Sequence, residues 1–223
     1  MSEWWTYRPS DFLLFSPRVY ERLIESHNAS LGAWLWIAAA LSVATGLCAW
    51  RGGDKGARAA LALVGAGLCW TGWSFLSARY ASINWAAGYA APAFWLAGAA
   101  FVMAAAFARR PLRSARGDVA AITTLLVILI ASAYPLLAAV SGKPWISVEV
   151  AFVMPDPTAL LALGVAALIR APVLALGLAS IPFAWTLYAT MTLATLGATA
   201  QSMTLALGAG LALASLASRR VMR

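Results

Sequence analysis

The chain is poor in charge. Only 11% of its 223 residues are Asp, Glu, Lys or Arg, and 62% are apolar; a soluble domain carries about a quarter charged residues. With a mean hydropathy of +0.79, so much apolar surface cannot be hidden inside a water-soluble fold of this size, and the bilayer is the natural solvent. Chemistry-bearing residues are equally scarce. His27 is the single histidine, which excludes an HExxH zinc site and a haem held by two histidines of one copy. No GxSxG and no phosphate-binding GxxxxGK[ST] occurs. The two lysines, Lys55 and Lys143, both fall in polar connections, so no late helix offers a Schiff-base lysine. The expectation is a protein that is not an enzyme, with no catalytic residues, no cofactor and no metal ligands. Cys48 and Cys69 each lie inside an apolar run without CxxC spacing, which predicts free, buried thiols.

What is abundant is apolar length. A membrane helix needs about 20 mostly apolar residues, and seven segments approach that: 31–50, 57–77, 85–108, 119–140, 148–169, 172–192 and 195–217. The expected fold class is therefore all-α, a polytopic transmembrane helical bundle of about seven helices. Residues 31–218 form the bundle, 1–30 an extracytoplasmic amphipathic segment and 219–223 a basic cytoplasmic tail. The first 28 residues carry both charge signs and no long apolar stretch, so no cleavable signal is expected and the first membrane helix serves as the insertion signal.

The net charge of +8 does not point to nucleic acid, because the basic residues sit in short clusters between apolar runs. Arg51, Lys55, Arg58, Arg109, Arg110, Arg113, Arg116, Arg170, Arg219, Arg220 and Arg223 alternate in loop position with Arg8, Arg18, Arg22, Arg79 and Lys143, eleven against five. That split suits seven crossings with the N-terminus outside and the C-terminus cytoplasmic. If the fifth segment re-entered instead of spanning, six crossings would remain.

Ser16-Pro17 reads as an N-cap followed by proline at the first helical position. Val19, Tyr20, Leu23, Ile24 and His27 then recur at helical spacing opposite Arg18, Glu21, Arg22 and Glu25. This predicts a short amphipathic helix in the outer interface, with Trp4, Trp5, Tyr7, Phe12 and Phe15 anchoring the segment before it; a lid over a site is the alternative. Gly65, Gly67, Gly72, Gly197, Gly208 and Gly210 allow close helix approach.

The richest stretch is Glu149 to Thr158, where Pro155 and Pro157 interrupt the fifth segment. Asp156 is expected as the N-cap of a helix restarting at Pro157. The remaining run of about 13 residues gives about 20 Å of helix, too short for a hydrocarbon core of about 30 Å. The restart should then lie below the outer surface, where irregular backbone is tolerated only inside protein or beside a cavity. A polar cavity lined by Asp156, Glu149, Asn84 and Thr158 is the functional expectation; a capped loop near the surface is the plain alternative. Asn84, beside Trp85, equally suits an N-cap. Pro182 should kink the sixth helix, and Trp70, Trp73 and Trp185 read as packing residues.

Three stretches together resemble a family: Trp4 to Tyr20, Ile83-Asn84-Trp85-Ala86-Ala87, and Pro155-Asp156-Pro157-Thr158 leading to Leu163-Gly164. They are similar to the bacterial membrane-protein family of unknown function numbered 6064, whose members are sometimes labelled permeases. The resemblance covers most of the chain and implies a bundle in the bacterial inner (plasma) membrane, with no catalytic residues carried over. The functional expectation is a small-solute transporter or channel component; the alternative is a structural or accessory subunit of a larger membrane complex. Expected partners are the lipid bilayer, and a small solute or another membrane protein.

Overall fold

The computed structural model describes residues 15–108, 112 and 119–221, and among these it is all-helical with no β-strand. Trp4, Trp5, Tyr7, Phe12, Arg109, Arg110, Arg113, Arg116 and Arg223 lie outside the described residues. The helices are α1 (Pro17–Leu31), α2 (Trp34–Arg51), α3 (Gly53–Thr71), α4 (Trp85–Phe107), α5 (Val119–Ala133), α6 (Leu136–Val140), α7 (Pro155–Ala167), α8 (Pro172–Thr195) and α9 (Thr199–Val221). A π-helical turn, Gly72–Ser77, and a 3₁₀ turn, Tyr80–Ser82, extend α3. Five spans, in α2, α3 with its extension, α4, α8 and α9, are long and apolar enough to cross a membrane.

After α1 the chain runs up and down between two ends. At the end that α1 covers, Arg79 at the far end of α3 reaches Ser26 and Ser30 of α1. At the opposite end, Arg58 near the start of α3 donates to the carbonyls of Ala105 and Ala108 at the end of α4 (2.8 and 2.5 Å) while Asp54 accepts its Nε (3.2 Å). The guanidinium thus satisfies carbonyls that a helix end leaves unpaired. Asp54 Oδ1 also accepts from the Leu112 amide, and the Arg170 amide donates to the Leu112 carbonyl (2.7 Å), closing the same end.

Within the bundle, helices meet through small residues and hydroxyls rather than amphipathic seams. Gly65 of α3 and Gly98 of α4 face each other so closely that a methyl on Gly65 would meet the Gly98 carbonyl at 2.7 Å. Ser42 and Ser132 link α2 to α5 (2.9 Å), and Thr124 and Ser215 link α5 to α9 (2.7 Å).

The central element is α7. All thirteen of its residues are buried, within an unbroken buried run from Ser147 to Ile169, and α3, α5, α8 and α9 surround it. Several expectations change here. The 119–140 segment is not one helix: Pro135 lacks the amide that would continue the ladder, and α5 ends at Ala133 before α6 resumes. The 148–169 segment is helical only from Pro155. Pro182 lies inside α8, as its place in the sixth segment implied, and α8 stays one helix to Thr195. Trp70 and Trp73 are exposed, their rings 5.3 Å apart, and not core packing. The cysteines are free but half-buried.

The N-terminal helix also corrects its expectation in part. Ser16 caps α1 by accepting from the Val19 amide (3.4 Å), with Pro17 in the first turn. The face that goes inward, however, is Tyr20, Ile24, His27 and Asn28, packed on the chain itself, while Val19 is exposed. Polar bonds fix the helix there. Lys143 Nζ donates to Glu21 (2.6 Å), Ser147 donates to Glu25 (2.9 Å), and Asn28 Nδ2 donates to the carbonyls of Ile146 and Val148 (2.7 and 2.8 Å). The helix is a cover over one end of the bundle.

Candidate functional site

The site begins with a turn. Before α7 the chain descends from the α1 end as extended and turning backbone, and the Val153 and Met154 amides both donate back to the Val150 carbonyl (3.1 and 2.9 Å). Phe152, with φ of 72°, is the only non-glycine with positive φ among the described residues. Such backbone is held only where its surroundings over-determine it. Here the Phe152 ring lies on Gly67, where any Cβ would collide with it. Its amide donates to Thr158 Oγ1 (2.7 Å), and that hydroxyl donates to the Met154 carbonyl (2.6 Å). Thr158 ties the turn to the helix start.

The helix therefore starts at Pro155, not Pro157, and its N-cap residue is Met154, not Asp156. Asp156 lies in the first turn, where a carboxylate suits the helix dipole. With its side chain not needed as a cap, Oδ1 accepts from Trp185 Nε1 of α8 (2.8 Å), and Asp156 is 2% exposed. Trp185 in turn meets Phe94 edge-on, with centroids 5.3 Å apart. Trp185 precedes the end of α8 by ten residues, which places this pair about 15 Å below that end. The break is deep.

Two cavities lie above it. The larger, about 380 Å³, opens at the α1 end and is lined by Tyr20, Glu21, Lys143, Ser147, Glu149 and Gln201, among others. The smaller, about 10 Å³, touches Asp156, Trp185, Tyr188, Tyr80 and Tyr20, a volume near the least that admits one water. Tyr20 and Leu193 line both, so a ring from the covering helix and a leucine of α8 are shared between them. Burial pushes the Tyr20 hydroxyl well above its usual range, and nearby Asp156, then Glu149, push the same way. A neutral phenol, able to donate and accept, thus sits beside two carboxyl groups.

The four residues expected to share one cavity are not brought together in that way. Glu149 lines the larger cavity and Asp156 the smaller. Asn84 and Thr158 line neither. Asn84 is the N-cap of α4, accepting from the Ala86 amide (3.1 Å), and its Nδ2 donates to the Tyr188 hydroxyl (2.6 Å). It thereby orients a ring that lines the smaller cavity. Glu149 is 7% exposed, and its Oε2 is buried with no hydrogen-bond partner. The Tyr134 hydroxyl is also buried without a partner. Among the described residues no three His, Cys, Asp or Glu side chains gather in metal-binding geometry.

Sequence reading missed Tyr20, Tyr188 and Trp185 as parts of this site. Aromatic rings in an apolar chain read as packing, and only the tertiary arrangement brings the Trp185 Nε1 onto Asp156 and gathers the rings of Tyr20 and Tyr188 around the same small cavity.

A family model described as a family of unknown function, DUF6064, matches residues 18–223. The chain belongs to that family. The matched residues include all of α1 except Pro17 and everything after it, so turn and central helix, and nearly all of the cover, fall within the family model. No curated protein and no solved structure matches the chain.

Proposed function

We propose that the chain crosses the bilayer seven times, with the α1 end outside, and acts as a transporter or channel component for a small cation or cationic solute that enters from that end. The first part is supported by the five long apolar helices and by two shorter units that run between the same ends, α5 with α6, and the turn with α7. Exposed aromatics stand near both ends, as interfacial rings do: Trp34, Trp36, Trp73, Trp85, Tyr89 and Trp145 toward the α1 end, Trp50 and Phe107 at the other. The excess of basic residues on the opposite loops supports the orientation.

The observation that carries the functional reading is the buried, unpartnered Oε2 of Glu149 at a cavity of about 380 Å³. A carboxylate without a donor is costly away from water, and a bound cation would offset that cost. Glu21 is also acidic, and the one lysine in the lining, Lys143, is paired with it. Below lies Asp156, reached by displacing Tyr20. A helix that starts in mid-bundle beside polar groups is a recurrent transporter arrangement. The proposed role is binding and passage of solute, with no catalytic step.

The test uses the full chain in nanodiscs, titrated calorimetrically with sodium, potassium and methylammonium. Wild type should bind at least one of them; Glu149→Gln should weaken it by about tenfold or more, the loss of one charge-assisted contact. Unchanged affinity in that variant refutes the site. Separately, a reporter fused after Arg223 should read cytoplasmic and one before Met1 external; both on one side would exclude seven crossings. The alternative, an accessory subunit, draws on an apolar groove of about 410 Å³ between α2 and α5, lined by Leu47, Trp50, Leu125 and Leu129.

A further inference from the structure

A second groove, about 550 Å³, runs between α2 and α3. Its walls are almost wholly apolar: Trp34, Ile37, Leu41, Leu63 and Trp70. It starts near the α1 end at Ser30 and Leu31 and descends along α2 as far as Leu41, about 10 Å along the helix axis from Trp34. Its floor includes Phe152 and Val153, the turn immediately before the interrupted helix.

The mouth differs chemically from the walls. Ser30, which lines the groove, accepts from Arg79 Nη2 (2.9 Å), and Arg79 Nη1 reaches Ser26 (3.4 Å). Among the described residues no carboxylate pairs with this guanidinium. His27, close enough to feel the Arg79 charge, is held neutral by burial first and by Arg79 second, so it adds a ring and no negative charge. A cation flanked by serine hydroxyls therefore stands at one end of an apolar slot that lies along the helix axes. An arginine fork binds phosphate well, and a slot parallel to the axes has the direction of a lipid chain.

We infer that this groove is a binding site for one anionic phospholipid, its phosphodiester on Arg79 and the Ser26 hydroxyl, and an acyl chain between α2 and α3; Ser30, whose own proton goes to the His27 carbonyl (2.7 Å), holds the guanidinium at the mouth. The inference rests on the bilayer reading above but not on solute binding. The occupant touches Phe152 and Val153, so it props the turn that positions Asp156.

The full chain, purified in detergent, is mixed with palmitoyl-oleoyl phosphatidylglycerol or with phosphatidylcholine of the same chains. Bound lipid is then counted by native mass spectrometry. Wild type should retain the anionic lipid about fivefold better, the effect of one basic residue on an anionic headgroup. Arg79→Gln should remove that preference while leaving weak retention of both. Leu41→Trp, which fills the slot at an already lipid-accessible position, should lower retention of both, with helicity and thermal unfolding confirming the fold. Equal retention of the two lipids by wild type, a preference that survives Arg79→Gln, or undiminished binding in Leu41→Trp each overturns the inference. Alkaline extraction of membranes tests the bilayer reading by itself: release of the chain would refute that reading, whichever lipid binds in detergent.

Discussion

Removing the Asp156 carboxylate should destabilise the bundle chiefly by orphaning Trp185. Asp156→Ala leaves the indole Nε1 buried, with its acceptor gone and no water route except a void of about 10 Å³. An unsatisfied buried donor costs about 1–3 kcal/mol, and bonds to charged acceptors sit toward the upper part of that range. Hydrogen bonds inside membrane bundles have smaller net couplings, averaging about 0.6 and reaching about 1.7 kcal/mol. For this pair, with Asp156 only 2% exposed and the bond 2.8 Å long, the expected coupling is about 1–1.5 kcal/mol. Asp156→Asn keeps an acceptor oxygen in place and should lose less than about half of what Asp156→Ala loses. Trp185→Phe removes the donor together with part of the indole ring, a packing loss that the single and the double variant share and that the cycle therefore subtracts. Equilibrium unfolding in mixed micelles, followed by circular dichroism on the two single variants and the double variant, gives the coupling directly. A value below about 0.5 kcal/mol, or an Asn variant as damaged as the Ala variant, would refute the assignment of this bond as what holds α7 to α8 at the break.

Two further outcomes follow from particular contacts. Gly65→Ala places a methyl 2.7 Å from the Gly98 carbonyl and 3.0 Å from the Val102 amide, whereas at Gly88 nothing lies within 4 Å; overpacking of about 1–3 kcal/mol against a helix-propensity gain of about 1 kcal/mol should leave Gly65→Ala clearly less stable than Gly88→Ala in the same unfolding assay, and equal stability would contradict the close α3–α4 contact. His27 is lowered from 6.5 to about 4 by burial, with Arg79 adding to it, so the folded chain favours the neutral ring: the docking of α1 should be intact above about pH 6.5 and weaken as pH falls toward 4, because the unfolded segment takes up the proton first. Hydrogen exchange of the α1 amides at pH 7.5 and pH 4.5, corrected for intrinsic rates, reads this out; protection that does not change with pH in wild type, or a pH effect that persists in His27→Leu, would refute it.

The sequence by itself set the expectation of a bilayer as solvent, with which the five long apolar helices are compatible, and the places where the chain would be interrupted. Charge is scarce, apolar stretches recur at near-membrane length, and Pro155 and Pro157 are tolerated in the first turn of a helix but not in its interior, so a shortened helix in the fifth apolar segment follows from backbone chemistry alone. Ser16-Pro17 and Asn84 were legible as caps for the same local reason, since capping involves residues two or three apart. What only the tertiary structure decided is which apolar surface faces protein and which faces outward. In a chain this apolar, hydropathy cannot separate the two, because lipid and bundle interior are alike in polarity. The amphipathic face of α1 could have met either, and it went inward because Glu21, Glu25 and Asn28 find Lys143, Ser147 and two loop carbonyls more than a hundred residues away. The cap of α7 passed from Asp156 to Met154 because Thr158 and Phe152 already satisfy the turn, which freed the carboxylate for Trp185. Tyr20 came to line both cavities only once α1 had docked. Each of these depends on partners far apart in sequence, and no local pattern encodes such a meeting.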